Sequence, residues 1–193
     1  MELGSLAVSG SLKVGLHIST NYKRPVLEIY HYVKNQIGPE YEFNVPKGSS
    51  GVERETIKHR FQNISICFVL TNIGGVRAED VELKISGELK RDKPRENFGG
   101  IFNCIISQIA PSQVLFLFSF DQHDLYEYPE GGGQPVGNKD KTFTITMAYN
   151  APKGFINNML SFFKKIRGKK QFFSTYTFSP KIVIGDLPPP EYL

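Results

Sequence analysis

The chain has 193 residues, 40% of them apolar and 22% charged, and 23 Lys and Arg stand against 19 Asp and Glu for a net charge of +4. That length supports one domain whose core needs neither a disulfide framework nor a structural metal, and two cysteines exclude a disulfide scaffold. No run of 18 apolar residues is present, which excludes a membrane-spanning helix, and Met1-Glu2-Leu3-Gly4-Ser5 lacks the basic and apolar regions of a secretory signal.

The dominant hydrophobic period is two, the period of a strand. Leu12, Val14, Leu16 and Ile18 alternate over residues 12–18. A second strand is expected over 25–33, with Thr20 to Arg24 as a hairpin connection. Gly38-Pro39, Pro46 and Gly48-Ser49-Ser50-Gly51 predict a loop over 38–54. Residues 63–71 place Ile64, Ile66, Phe68 and Leu70 on one face and Ser65, Cys67, Val69 and Thr71 on the other. That second face is only partly polar, so the strand is expected to be central. Asn72-Ile73-Gly74-Gly75 ends it. Val81, Leu83, Ile85 and Gly87 then alternate with Glu82, Lys84, Ser86 and Glu88, an antiparallel strand with one wet face. Lys90 to Asn97 reads as a solvated charged loop. Further strands are expected over 101–109, 114–120, 142–149 and 171–178. Ala110-Pro111-Ser112 turns the chain, and Asp121 to Lys141 is a polar stretch around Gly131-Gly132-Gly133. Ile182, Val183 and Ile184 would make a last edge strand. The class is all-β, an antiparallel β-sandwich. Its single domain covers 1–187, and 188–193 is a Pro-rich tail.

Residues 151–170 break the β pattern. Phe155, Met159, Phe162 and Ile166 recur at helical spacing, widened by Ile156, Leu160 and Phe163. They span about 160° of a helical wheel. Pro152 suits the first turn and Gly168 the end, so an amphipathic helix of about 153–167 is expected as an insertion. Lys164, Lys165, Arg167, Lys169 and Lys170 follow its apolar stripe, and removing those five charges from +4 leaves −1 for the rest. The candidate contact surface is therefore Phe155, Met159, Phe162, Lys164, Lys165, Arg167, Lys169 and Lys170. It suits either packing over the protein's own core or an anionic membrane surface, where each cation contributes about 1 kcal/mol. Nucleic acid is not an expected partner, because the basic charge is confined to one insertion.

Ile64-x-Ile66-x-Phe68-x-Leu70-Thr71-Asn72-x-Gly74-Gly75-x-x-Ala78-x-Asp80-Val81 resembles the strand–Asn–x–Gly–x–x–Ala pattern of bacterial immunoglobulin-like modules of the CARDB type. Ile109-Ala110-Pro111-Ser112-Gln113-Val114 resembles their next landmark, with Ser where they often have Gly. The resemblance covers residues 63–120 and implies an immunoglobulin-like sandwich without catalytic residues. In that pattern Asn72 and the glycines are expected to take positive φ.

Catalytic motifs are absent: the sequence has no P-loop, GxGxxG, HExxH or GxSxG. His17, His31, His59 and His123 are scattered, and His17 and His31 meet only if their strands form a hairpin in register. The densest polar cluster is Asp121, His123, Asp124, Glu127 and Glu130, interleaved with Tyr126 and Tyr128. It reads as a solvated loop rather than a cation site, with a small-ligand or carbohydrate binder using the loops near Tyr126 and Tyr128 as a rival reading. No enzyme, cofactor or metal is expected. Cys67 and Cys104 are expected as two free buried thiols, with a bridge between neighbouring strands as the alternative. The ending contains Pro-Pro-x-Tyr, either an extended tail or a ligand for a WW-type domain. The expected role is a non-catalytic module mediating protein interaction. The alternative is a peripheral membrane-surface module anchored by residues 155–170. The location is cytoplasmic or membrane-peripheral, or the cell envelope if the chain is a fragment of a longer one.

Overall fold

The computed structural model describes residues 24–47, 54–91, 98, 100–152 and 170–193. The expected strand over 12–18 and the expected helix over 153–167 lie outside the described residues, as does most of the charged loop. Ten strands are found among the described residues: β1 (Leu27–Pro46), β2 (Arg54–Asn72), β3 (Ala78–Gly87), β4 (Ile105–Ile109), β5 (Val114–Asp121), β6 (Tyr126–Glu127), β7 (Gly137–Asn138), β8 (Phe143–Asn150), β9 (Phe172–Phe178) and β10 (Glu191–Tyr192). One short helix, α1 (Gln122–Leu125), joins β5 to β6. The chain is all-β, as its period-two runs predict.

The first sheet has the order β10-β1-β2-β5 and the second β4-β3-β8-β9, while β6 and β7 form a separate ribbon. Every pairing is antiparallel except β10 on β1. Alternation decides which residues go inside. On β8 the odd residues Phe143, Ile145, Met147 and Tyr149 are buried in alternation, whereas on β2 the even residues Ile64, Ile66, Phe68 and Leu70 face the core and Cys67, Val69 and Thr71 of the other face are buried as well. These faces meet in one core, shared with Leu27, Ile29, Val81, Leu83, Phe118 and Phe120. Phe68 of the first sheet lies 5.1 Å from the ring of Phe143 and 5.1 Å from that of Phe178, both of the second. Beyond the rows covered by the second sheet, β2 loses its burial: Arg54 to Asn63 are all exposed.

Several expectations need correction. Of the loop expected over 38–54, residues 48–53 lie outside the described residues, and Gly38 to Pro46 are strand. β1 runs through Gly38-Pro39 to Pro46, and β2 begins at Arg54. Between Ile37 and Glu40 the register shifts, so that Gly38 and Pro39 stand opposite Phe61 alone. This is a β-bulge, where a proline without an N–H interrupts no ladder bond. Pro46 pairs with Arg54 at the last rung. Gly38-Pro39 thus marks a bulge, and Pro46 stands at the last described rung. The run 101–109 is a strand only from Ile105, since Gly100–Phe102 forms a 3-10 turn. Ile184–Asp186 is likewise a 3-10 turn, not an edge strand, although Ile182 is buried in the core. Cys67 is a free buried thiol, but Cys104 is free and exposed, because it falls in the turn before β4. The ending is not a free tail: Leu193 N–H donates to Ile37 O at 3.0 Å and Asn35 Nδ2 donates to Pro188 O at 2.9 Å.

Asn72 and Gly74 also work differently from the expectation. Neither takes positive φ; among the described non-glycine residues that belongs to Asp80 and Ser112. Gly74 is required by space, since a Cβ there would lie 2.4 Å from both Arg24 O and Val26 N. Ser112 has φ +62° in the turn between β4 and β5, a region that favours glycine. Ser112→Gly is therefore expected to raise stability by about 0.5–1 kcal/mol. Urea unfolding checks this, and an unchanged midpoint would show that the turn holds no such strain.

Candidate functional site

Because facing residues of an antiparallel pair share a face, the register fixes what each side of the first sheet presents. On the side away from the core, Tyr30, Val69 and Phe116 form one row. Tyr32, Cys67 and Ser119 form the next, then Lys34, Ser65 and Asp121, then Gln36 and Asn63. The last three of these rows, with Phe116, line a shallow cleft of about 360 Å³. Tyr32 and Phe116 supply its aromatic surface, and Lys34 and Asp121 its opposite charges. Partial burial raises the pKa of the Tyr32 hydroxyl above its ordinary value, and the neighbouring Cys67 adds to this. Tyr32 is therefore a neutral hydrogen-bonding group at neutral pH.

The same side continues past the bulge onto an arm. The one-residue slip at Gly38-Pro39 exchanges the parity of β1. Its odd residues Tyr41, Phe43 and Val45 now share a face with the odd residues His59, Ile57 and Glu55 of β2. Seven residue pairs, from Glu40–Arg60 to Pro46–Arg54, carry the ribbon onward, roughly 23 Å at strand rise. Tyr41 is 48% exposed, Phe43 40%, Ile57 46% and Phe61 53%. Their rings form a connected row: Tyr41 to Phe61 at 5.8 Å, Phe43 to Phe61 at 6.0 Å and His59 to Phe61 at 4.8 Å.

The opposite face of the arm, which prolongs the core side, is charged. Lys58 Nζ lies 3.0 Å from Glu40 Oε1 and 3.5 Å from Glu42 Oε1, and Arg60 Nε lies 3.7 Å from Glu40 Oε2. The hydrogen bond from Lys58, reinforced by its charge, holds the Glu40 carboxyl below its usual range. Such exposed pairs are screened and contribute little to stability. They do settle which way the ribbon is polarised. The polar face is the one a solvent-facing extension of the core side should have. The aromatic face points away from the core, so core packing does not account for it.

The residues expected from sequence behave as follows. Phe155, Met159, Phe162, Lys164, Lys165, Arg167 and Lys169 lie outside the described residues. Lys170 is described, and it is engaged with the domain: its Nζ lies 3.0 Å from Glu82 Oε1 and donates to Asp80 O at 3.0 Å. The Asp121 cluster is an end of structure rather than a cation site. Asp121 caps α1 by accepting from the N–H groups of His123 and Asp124, and Asp124 Oδ2 accepts from Asp121 N–H. That reciprocal pair is a capping box. No cluster of three His, Cys, Asp or Glu side chains able to hold a metal occurs among the described residues. No helix among them is long and apolar enough to cross a membrane. The arm was hidden from the sequence reading because Gly38, Pro39 and Pro46 weigh against a strand. The signal that reveals it is the alternation Tyr41-x-Phe43-x-Val45 across from Ile57-x-His59-x-Phe61.

Among known families, the model for a Domain of unknown function (DUF8453) matches residues 51–181, well over half of the chain. The chain belongs to the DUF8453 family. No curated protein and no solved structure matches it. The DUF8453 match takes in β2 to β9, which is all of the second sheet and the strands β2 and β5 of the first. It therefore includes one strand of the arm, while β1 and β10 fall outside the matched span.

Proposed function

We propose that this DUF8453 member is a non-catalytic binding module with an immunoglobulin-like sandwich, and that it holds a protein partner on the aromatic side of its first sheet and arm. The strand order supports the sandwich type. In immunoglobulin-like domains the first, second and fifth strands share one sheet, and the third strand lies in the other beside the last two. Here β1, β2 and β5 share the first sheet with β10, and β3, β8 and β9 share the second with β4, which departs from the constant-type pattern by lying beside β3. Fold alone does not select a function.

The observation that carries the functional reading is the exposed row Tyr41, Phe43 and Phe61 on the face away from the core. An isolated two-stranded ribbon is only marginally stable in water, and aromatic residues are enriched where proteins meet. The test is a photo-crosslinking residue placed at Phe43, with a control at the exposed Lys84 of the second sheet. Irradiation in the native host is expected to give discrete protein adducts from position 43 and none from position 84. No adducts, or the same adducts from both positions, would overturn the reading.

A further inference from the structure

The aromatic face of the arm has an unusual charge content. Among the described paired residues it holds Tyr41, Phe43, Val45, Ile57 and Phe61, no Lys or Arg, and just two ionisable side chains besides tyrosine, Glu55 and His59. These two flank Ile57 symmetrically on one strand. We propose that two copies of the chain associate by stacking these faces about a two-fold axis that passes beside Ile57 and runs perpendicular to the strands. This rests on the binding reading above and names its partner as a second copy.

The axis follows from the charges. A two-fold perpendicular to the strands reverses their direction, so each residue of β2 meets the residue equally far on the other side of Ile57. His59 of one protomer then faces Glu55 of its partner, twice, and Tyr41 faces Val45 while Phe43 faces Phe43. A two-fold along the strands would instead lay His59 over Tyr41 and Glu55 over Val45. That would bury two carboxylates and two imidazoles without ionic partners, a costly arrangement. Isologous contacts of the first kind close on themselves and make a dimer, not a fibre. Stacked sheets sit about 10 Å apart, which aromatic and branched side chains can fill. The charged face, with Glu40, Glu42, Lys58 and Arg60 already paired, stays in water.

Taking roughly 200 Å² for a whole aromatic side chain, the exposed parts of this face bury on the order of 800–900 Å² over both copies. Stable complexes typically bury about 1,600 Å². The dimer is therefore weak and reversible.

The test is sedimentation equilibrium of the full chain at about pH 6 over micromolar to millimolar concentrations. A monomer–dimer equilibrium is expected. His59→Glu sets four carboxylates together and Glu55→His sets four imidazoles together, so each should raise the dissociation constant at least tenfold. The double exchange Glu55→His with His59→Glu restores the opposition across the axis and should return the wild-type value. Both positions are exposed on the arm, and circular dichroism verifies the fold of each of the three variants. A chain that stays monomeric, or a dimer indifferent to these substitutions, overturns the proposal. If the chain is monomeric yet crosslinks a different protein through position 43, self-association falls and the binding reading stands.

Discussion

Replacing Phe68 with alanine is expected to lower the unfolding free energy by about 4–5 kcal/mol, the upper end for a buried aromatic truncation. The ring is completely buried. It stacks on Phe118 at 5.1 Å within its own sheet and meets Phe143 and Phe178 of the opposite sheet edge-on, each at 5.1 Å. Phe120 at 6.0 Å closes the group. Truncation therefore loses the transfer energy of the ring and opens a cavity whose walls belong to both sheets. Rigid aromatic neighbours on strands held by ladders collapse poorly into such a space, which keeps the cost high. Against a typical total of about 5–15 kcal/mol, the variant should be marginal at 37 °C. Urea unfolding followed by circular dichroism measures this, and a loss under about 2 kcal/mol would show that Phe68 is not the junction of the two sheets. Phe68→Leu should recover more than half of the loss, because most of the volume returns.

The core was legible in the sequence because its rule is local. Wherever one face of a strand is buried, apolar residues must recur every second position, and Phe143 to Tyr149 or Ile64 to Leu70 show that directly. The arm was not legible for an equally physical reason. Gly38, Pro39 and Pro46 are strand breakers on average, but a bulge and a hairpin tip are the two places in a ladder where they do no harm. Sequence alone cannot tell a bulge from a loop until the partner strand is known. The same holds for Asp121 and Asp124, which read as a solvated acidic cluster and prove to be a helix cap, with Asp124 buried. At Asn72 and Gly74 the expected reason, positive φ, is not the operative one: Asn72 acts through its side-chain hydrogen bonds and Gly74 through lack of space.

Asn72→Ala is expected to cost about 4 kcal/mol, although it removes few atoms. The side chain is fully buried and uses all of its near-neighbour hydrogen-bonding capacity. Its Oδ1 accepts from Val26 N–H at 3.3 Å and from Gly74 N–H at 3.0 Å, and its Nδ2 donates to Val76 O at 2.8 Å and to Ile109 O at 3.0 Å. These partners lie just before β1, in the connection from β2 to β3, and at the end of β4. One amide thus ties both sheets to the chain that crosses between them. The backbone of Asn72 adds bonds to Gln113 O and from Ser112 N–H, so the turn into β5 is attached as well. Alanine would leave two donors and two acceptors in a space where Gly74 already has no room for a Cβ. Each group orphaned in the interior costs about 1–3 kcal/mol, less where water can enter. Asn72→Asp separates this explanation from simple loss of packing. It keeps the acceptor for Val26 and Gly74 but sets an anion against the carbonyls of Val76 and Ile109. At neutral pH it should therefore be at least as damaging as alanine despite its near-identical shape. If the aspartate variant retained wild-type stability at pH 7, the four-way hydrogen bonding would not be what holds this corner together.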